Sequence, residues 1–423
     1  MTLAALDARA SAHDASARHA MIVVVVGIIA TTLAQPEVLG AIPIKNLLKN
    51  ELHLGRAANA AFFFWIGLPW YIKPVAGVIT DAFPLFGRRR STYLLAATTL
   101  TVAAWIALAF TAHLYGPLFW GCMAISTSMV LASTVLGAFI VETAQAASEP
   151  GRFTAIRMMA MRACLIVSGP AAGYLASIAF GWTAAVCAAI AFLLIPTTLL
   201  FMREPRRSVS SAEILANAGG QLRQIAAART MWAAAGFLAL FYIAPGLTTA
   251  LFYKQQNDLH MTTQGQGLLR MISGLGGVAA AVMYGWACRR IHLRRLLLIS
   301  LTLSGALSLL YVFYQSVAAA QAITAIEAFS GAFAEIALMD LALRATPKGS
   351  EGLGYALMIS VRNLAVFGTD WLGSAMMDTW KLSFNTLVYA NSATTLIVVP
   401  LVFLLPAILV ATPDAMLAQP RRP

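Results

Sequence analysis

Trp182-Thr-Ala-Ala-Val-Cys187-Ala-Ala-Ile-Ala-Phe192-Leu-Leu-Ile-Pro196-Thr-Thr-Leu-Leu-Phe-Met202-Arg203-Glu204-Pro205-Arg206-Arg207 decides the class of this chain. No side chain is charged over 182–202, and at about 1.5 Å per residue a helix of that length covers roughly 30 Å, the thickness of bilayer hydrocarbon. Three arginines then follow within five positions. Five comparable stretches precede it, at 20–42, 57–83, 92–112, 118–144 and 153–178. Six follow, at 231–253, 266–288, 296–314, 319–343, 353–377 and 387–410. Each is drawn here as one continuous span. Of the 423 residues, 60% are apolar and only 11% charged, against about 45–50% apolar in soluble domains. An ordinary soluble enzyme is therefore excluded. The reading is an all-α polytopic membrane protein with twelve transmembrane helices in two six-helix pseudo-symmetric halves.

The domain plan follows: a cytoplasmic leader at 1–19, a first half at 20–202, a cytoplasmic linker at 203–230, a second half at 231–410 and a cytoplasmic tail at 411–423. A cleaved signal peptide is the competing reading of the first apolar run. The long, weakly charged leader and the continuation through Gln35-Pro36-Glu37 argue for a retained span. In the linker, Ile214, Leu215, Leu222 and Ile225 recur at roughly helical spacing, as in an interfacial amphipathic helix.

The net charge is +12, but no basic cluster is interleaved with aromatic residues on a polar face, so nucleic acid is not the expected partner. Lipid headgroups are. With the N-terminus inside, the cytoplasmic segments collect Arg9, Arg18, Arg88–Arg90, Arg152, Arg203, Arg206, Arg207, Arg223, Arg229, Arg289, Arg290, Arg294, Arg295, Arg344, Lys348, Arg421 and Arg422, whereas the outer segments hold only Lys45, Lys49, Arg56, Lys254 and Lys381. The positive-inside rule then places both termini in the cytoplasm. The remaining cations lie within spans. Cys122, Cys164, Cys187 and Cys288 fall in apolar runs without C-x-x-C spacing, so no disulfide framework or zinc ribbon is expected.

The halves echo each other. Glu142 ends span 4 and Arg162 lies nine residues after Phe153, as Asp340 ends span 10 and Arg362 lies nine residues after Leu353. Such duplication is common in transporters; chance matching among basic loops is the alternative.

Two segments go further. Lys73-Pro74-Val-Ala-Gly77-Val-Ile-Thr-Asp81-Ala-Phe-Pro84-Leu-Phe-Gly87-Arg88-Arg89-Arg90-Ser-Thr-Tyr93-Leu94 resembles the signature of the folate-biopterin transporter family, a branch of the major facilitator superfamily. Arg344-Ala-Thr-Pro347-Lys348-Gly349-Ser-Glu351-Gly352-Leu-Gly-Tyr-Ala356-Leu-Met-Ile-Ser360-Val-Arg-Asn363-Leu is similar to that family's segment between spans 10 and 11. The chain departs from the family at the inner end of span 4, where arginines usually follow the acid but Glu142-Thr-Ala-Gln145 stands here. The resemblance implies a major facilitator fold and a folate or reduced pterin as cargo. It also implies that Asp81 with Arg88, Arg89 and Arg90 forms a conformational latch.

An ionisable group in hydrocarbon costs on the order of 2.5–3.5 kcal/mol, so each needs a partner or a wet cavity. Lys73, beside Trp70 and Tyr71, lies roughly 15 Å from the inner end of span 2. It either receives a substrate carboxylate, with the aromatics stacking on a flat heterocycle, or holds a structural salt bridge. Arg162 and Arg362 sit at equivalent depths and offer the guanidinium fork that suits carboxylates; the alternative is pairing with Glu335 or Glu327. Those two acids and Glu37 are the candidates for proton coupling, Glu335 first. Permanent pairing with a cation is the competing reading. Arg157, Glu142 and Asp340 join the Asp81 latch as gating residues.

No G-x-x-x-x-G-K-[ST] and no H-E-x-x-H occurs, so neither ATP-driven pumping nor metal-enzyme chemistry is expected. No cofactor and no metal is expected. The leading function is secondary active transport of a small organic anion, most simply a folate or pterin, by alternating access with proton coupling or exchange. The chain would act as a monomer in a bacterial inner membrane. Export of a drug-like or biosynthetic product is the alternative, and a membrane-embedded enzyme the weaker one.

Overall fold

The computed structural model describes residues 3–86, 88, 90–146, 150–202, 204 and 211–410. Arg89, Arg203, Arg206 and Arg207 lie outside them, as does the tail from 411. The described residues are predominantly helical, with one isolated bridge, Leu85 to Arg88, and no strand. Among the described residues, seven helices are long and apolar enough to cross a membrane unaided: Ser91–Thr111, Tyr115–Thr143, Phe180–Phe201, Thr263–Ala287, Leu293–Phe313, Val317–Ala345 and Phe384–Leu404. They match expected spans 3, 4, 6, 8, 9, 10 and 12.

The other five stretches are also helical, but interrupted or charged. In span 2, Arg56–Ile66, Leu68–Tyr71 and Lys73–Ala82 are separate helices, broken where Gly67 and Pro69, then Ile72 and Pro74, interrupt the hydrogen-bond ladder. Span 7 parts into Arg229–Phe241 and Thr248–Asn257 around Pro245-Gly246. The unbroken spans drawn at 57–83 and 231–253 are corrected accordingly, because proline lacks the N–H that a continuous helix needs. In span 11, Glu351–Thr379 is one helix of 29 residues, whose Arg362, Asp370 and Asp378 dilute its hydropathy. Spans 1 and 5 contribute apolar lengths of Arg18–Leu33 and Met159–Leu175.

The break in span 7 is held by backbone crossing backbone. Gly246 N–H donates to Thr369 O at 2.8 Å. A Cβ on Gly373 would lie 2.2 Å from Gly246 O, a separation only glycine permits. Asp370 then closes the new helix start, accepting Thr249 N–H at 2.8 Å and the Thr249 hydroxyl at 2.6 Å. Asp370 is thus a structural cap.

The chain divides into two compact units, Met1–Leu47 with Val75–Ala216, and Leu48–Pro74 with Asn217–Pro423. The first is anchored by Trp105, fully buried, whose indole N–H donates to Ala34 O at 2.9 Å. In the second, Phe237, Leu238, Leu297, Leu338 and their neighbours form the core. Large apolar side chains also point outward: Val282, Ile397 and Leu200 are each about 70% exposed, as expected of a lipid-facing surface. The linker helix, Ser211–Ala227, turns by 73° into Arg229–Phe241. Gln224 fastens it to the connection after span 10, donating to Lys348 O and accepting from Ser350 Oγ, each at 2.8 Å.

Candidate functional site

In the first unit, the basic loop folds onto the acids around it. Arg90 is 5% exposed; its Nη1 meets Asp81 Oδ1 at 2.5 Å and its Nη2 meets Glu142 Oε1 at 2.9 Å. Burial works against the charged guanidinium, and the carboxylates of Glu142 and Asp81 more than offset it, so its pKa lies above the ordinary value. Glu204 completes the arrangement. Its carboxylate accepts the N–H of Arg90 and of Ser91 and the Ser91 hydroxyl, at 2.9–3.1 Å, which caps the helix Ser91–Thr111 and places an anion at its positive end. Glu204 was not among the expected site residues; the available signal was an acid just past span 6 and an uncapped helix start after the arginines. Arg88 is exposed and its N–H donates to Leu85 O at 3.0 Å, while Arg89 lies outside the described residues. Arg157 is exposed. Arg162 is half-buried on the helix Pro150–Leu175 and has no ion pair among the described residues. Glu37, in the turn that follows the helix Leu3–Leu33 and interrupts the span drawn at 20–42, accepts from Ser126 Oγ at 3.3 Å.

The second unit has its own polar cluster at the arginine-rich end. Asp340 holds Arg344 one turn along the same helix at 2.8 Å and takes the Tyr284 hydroxyl at 2.7 Å. Deeper in, Arg362 pairs with Glu335, and its Nη1 donates to Asn363 Oδ1 at 2.9 Å. Tyr242, at the break in span 7, lies within electrostatic reach of both members of that pair. Lys73 opens the last segment of span 2 with its ammonium 5.0 Å from the Trp70 ring centre. Tyr71 is buried, its hydroxyl donating to Phe64 O at 2.9 Å. Its ring belongs to a cluster with Phe64, Phe367 and Trp371. The cation–aromatic pairing of Lys73 and Trp70 is therefore local, and Tyr71 is occupied in packing.

Glu327 lies on the helix Val317–Ala345. Its Oε1 is buried and has no hydrogen-bond partner among the described residues. It lines a cavity of about 270 Å³ with Tyr242, Tyr311, Ser308, Thr369 and Asn391 among the walls. Among the described residues, no three His, Cys, Asp or Glu side chains are grouped to hold a metal ion.

At the end of the second unit remote from Asp340, a second polar cluster was absent from the sequence reading. Asp378 binds Arg56 at 3.1 Å and accepts the Ala57 N–H at 2.8 Å. The Tyr253 ring has Lys49 at 5.1 Å and Arg56 at 5.5 Å from its centre, and its hydroxyl donates to Leu54 O. Lys49 reaches Gln256 and Asn257 at 2.8 and 2.5 Å; burial first, then the charge of Arg56, pushes its ammonium below the ordinary lysine pKa. Arg270, on the helix Thr263–Ala287, is an intramembrane cation the sequence reading passed over.

The BT1 family model matches residues 38–416. A folate-biopterin transporter of Synechocystis sp. is 26% identical over 394 residues, covering 87% of this chain and 78% of that protein. Folate transporter 1 of Plasmodium falciparum is 24% identical over 84% of this chain and 72% of its own length. Among solved structures, a POT family transporter in complex with 5-aminolevulinic acid superposes with TM-score 0.72 at 11% identity, covering 92% of this chain and 96% of its own. A D-xylose-proton symporter gives 0.66 at 12% identity, with 92% and 97% covered. At such identities the likeness is one of fold, and it is the all-α major facilitator fold expected from the sequence.

Proposed function

Because this chain belongs to the BT1 family it is a multi-pass membrane transporter, and we propose that it moves a folate- or pterin-class organic anion by alternating access, coupled to protons through Glu335. The observation that carries this reading is the Glu335–Arg362 ion pair, half-buried in the second unit. An ionised Glu335 occupies the guanidinium; a protonated Glu335 releases it. Arg362 then takes a carboxylate of the cargo, so proton and anion enter together. Lys73 with Trp70, and Arg162 in the first unit, supply further cationic contacts, with Tyr71, next to Trp70 in sequence, held in the aromatic cluster of Phe64 and Phe367. Glu37 and Glu327 complete the set of intramembrane acids open to coupling.

Gating is assigned to the Asp81–Arg90–Glu142 cluster with Arg88, Arg89 and Arg157, and to Asp340. Both termini face the cytoplasm of a bacterial cell, the chain sits in the inner membrane, and it acts as a monomer. The names of the curated relatives support the cargo class. The test is uptake of radiolabelled folate into proteoliposomes of purified protein under an imposed pH gradient. Gradient-driven accumulation is expected; its absence for folate, pterin and 4-aminobenzoyl-glutamate alike removes the reading.

A further inference from the structure

The cavity beside Glu327 is walled by both acceptors and hydroxyl donors, Tyr242, Tyr311, Ser304 and Thr395 among the latter. Ser308 Oγ–H is committed to Gly305 O at 2.8 Å and Thr369 Oγ–H to Ala365 O at 2.8 Å. The amide N–H of Asn391 goes to Pro245 O at 2.9 Å. Ser308 and Thr369 leave oxygen lone pairs, Asn391 keeps its second amide N–H and its carbonyl oxygen, and an ionised carboxylate adds only acceptors. Two buried wall groups have no hydrogen-bond partner among the described residues, the acceptor Glu327 Oε1 and the Tyr242 hydroxyl. A ligand that satisfies Glu327 must bring N–H groups, a carboxylate being best met by two parallel N–H donors, and an acceptor on the same ligand can take the Tyr242 O–H.

Shape narrows the chemistry. The volume, about 270 Å³, falls just below the roughly 300–1,000 Å³ of sites for drug-sized ligands. It suits one bicyclic ring and is far more than a bare cation fills. Tyr242 and Tyr311 are among the walls, giving faces on which a flat heterocycle can stack. Tyr242 also neighbours Arg362 and Glu335, so a ligand held by its ring in the cavity extends its other end toward that pair.

We infer that this cavity is the subsite for the amino-pyrimidine edge of the cargo heterocycle, with Glu327 accepting the exocyclic amine and the adjacent ring N–H. This rests on the reading of the chain as a carrier of a folate- or pterin-class anion, and it gives Glu327 a role in recognition.

The test measures binding of four probes to the purified full-length transporter by calorimetry: folate, pterin, lumazine, in which an oxo group replaces the exocyclic amine, and 4-aminobenzoyl-glutamate, which lacks the ring. The wild type should prefer pterin to lumazine by at least about tenfold. Glu327→Gln should lower pterin affinity by roughly 10- to 150-fold, remove most of the preference, and leave 4-aminobenzoyl-glutamate within about threefold, which also certifies the fold. An unchanged pterin-to-lumazine ratio in Glu327→Gln, with folate still bound, overturns the subsite alone. Sodium-dependent stabilisation that disappears in Glu327→Gln makes this a cation site and overturns it equally. If the wild type binds none of the four, the cargo reading fails and takes the subsite with it.

Discussion

Asp378 Oδ1 lies 3.1 Å from Arg56 Nη1, and its Oδ2 accepts the N–H of Ala57 at 2.8 Å, so one carboxylate holds both the charge and the backbone start of the helix Arg56–Ile66. The two roles separate by substitution. Asp378→Asn keeps an acceptor and loses a partly exposed ion pair, a change of about 1 kcal/mol or less. Asp378→Ala leaves the Ala57 N–H without its acceptor and should cost about 1–3 kcal/mol. Melting of the purified protein orders the variants as wild type, Asn, Ala. Equal melting of Asn and Ala would remove the capping role.

Arg90 serves two acids at once, which makes the cluster asymmetric. Asp81 and Glu142 side chains are 41% and 56% exposed, against 6% for Arg90. Losing either acid leaves the other holding the cation, so Asp81→Asn and Glu142→Gln should each destabilise by about 1 kcal/mol or less. Arg90→Met abandons both and should cost about 1.5–3 kcal/mol. If the cluster gates the cycle, Asp81→Asn slows turnover without changing folate affinity. Wild-type turnover at normal expression excludes it from gating.

The parts of this molecule that could be read from the sequence were those written locally. A stretch such as 182–202, free of charge for the length of a bilayer, needs no partner to declare itself. Asp81, Glu142 and the arginines of the loop were marked by their cost in or near hydrocarbon, though not the fact that Arg90 alone bridges both acids. The break in span 7 is written in the sequence as the dipeptide Pro245-Gly246, but hydropathy continues across it and masks the interruption. Glu204, Asp378 and Asn391 could not be assigned from spacing. Each acts on a residue more than 100 positions away, and an acid at a helix end reads alike whether it faces solvent or a distant helix start.

The crossing of spans 7 and 11 sets a sharper steric limit than any core position. A Cβ at Gly373 would sit 2.2 Å from Gly246 O, and one at Gly246 2.6 Å from the Asp370 Cα. Both obstacles are backbone. Gly373→Ala should therefore cost more than the roughly 1–3 kcal/mol of ordinary overpacking and lower the yield of folded protein. Gly285→Ala, within a helix and with nothing inside 4 Å, should be neutral or stabilising by up to about 1 kcal/mol. Detergent gel filtration of both variants checks this, and a monodisperse Gly373→Ala at wild-type yield refutes the crossing.

Orientation can be tested with a single reporter. Cys122, Cys164 and Cys187 are buried, and only Cys288 is partly accessible, so Cys288→Ser gives a quiet background. Ser383 precedes the helix Phe384–Val398; Ser383→Cys should react with an impermeant maleimide in intact cells. Ser210, in the linker and outside the described residues, should as Ser210→Cys react only after permeabilisation. The reverse pattern inverts the topology.

Glu335 and Arg362 separate coupling from cargo charge. If protonation of Glu335 frees Arg362, Glu335→Gln fixes the released state: exchange of folate across the membrane persists, and accumulation driven by a pH gradient is lost. Retained gradient-driven uptake moves coupling to Glu327 or Glu37, or to no proton. Arg362→Gln acts on the other partner. It removes charge-assisted hydrogen bonds to the cargo, worth about 1.5–3 kcal/mol, and should weaken folate and 4-aminobenzoyl-glutamate by roughly 10- to 150-fold. Neutral pterin, without carboxylates, should lose much less. Lys73→Gln should follow the same pattern if its ammonium also meets the anion. Affinities for the charged and neutral ligands are compared on the same folded samples, so that lost protein is not mistaken for lost binding. Equal losses for both ligands, or none, return Arg362 to a purely structural pair with Glu335.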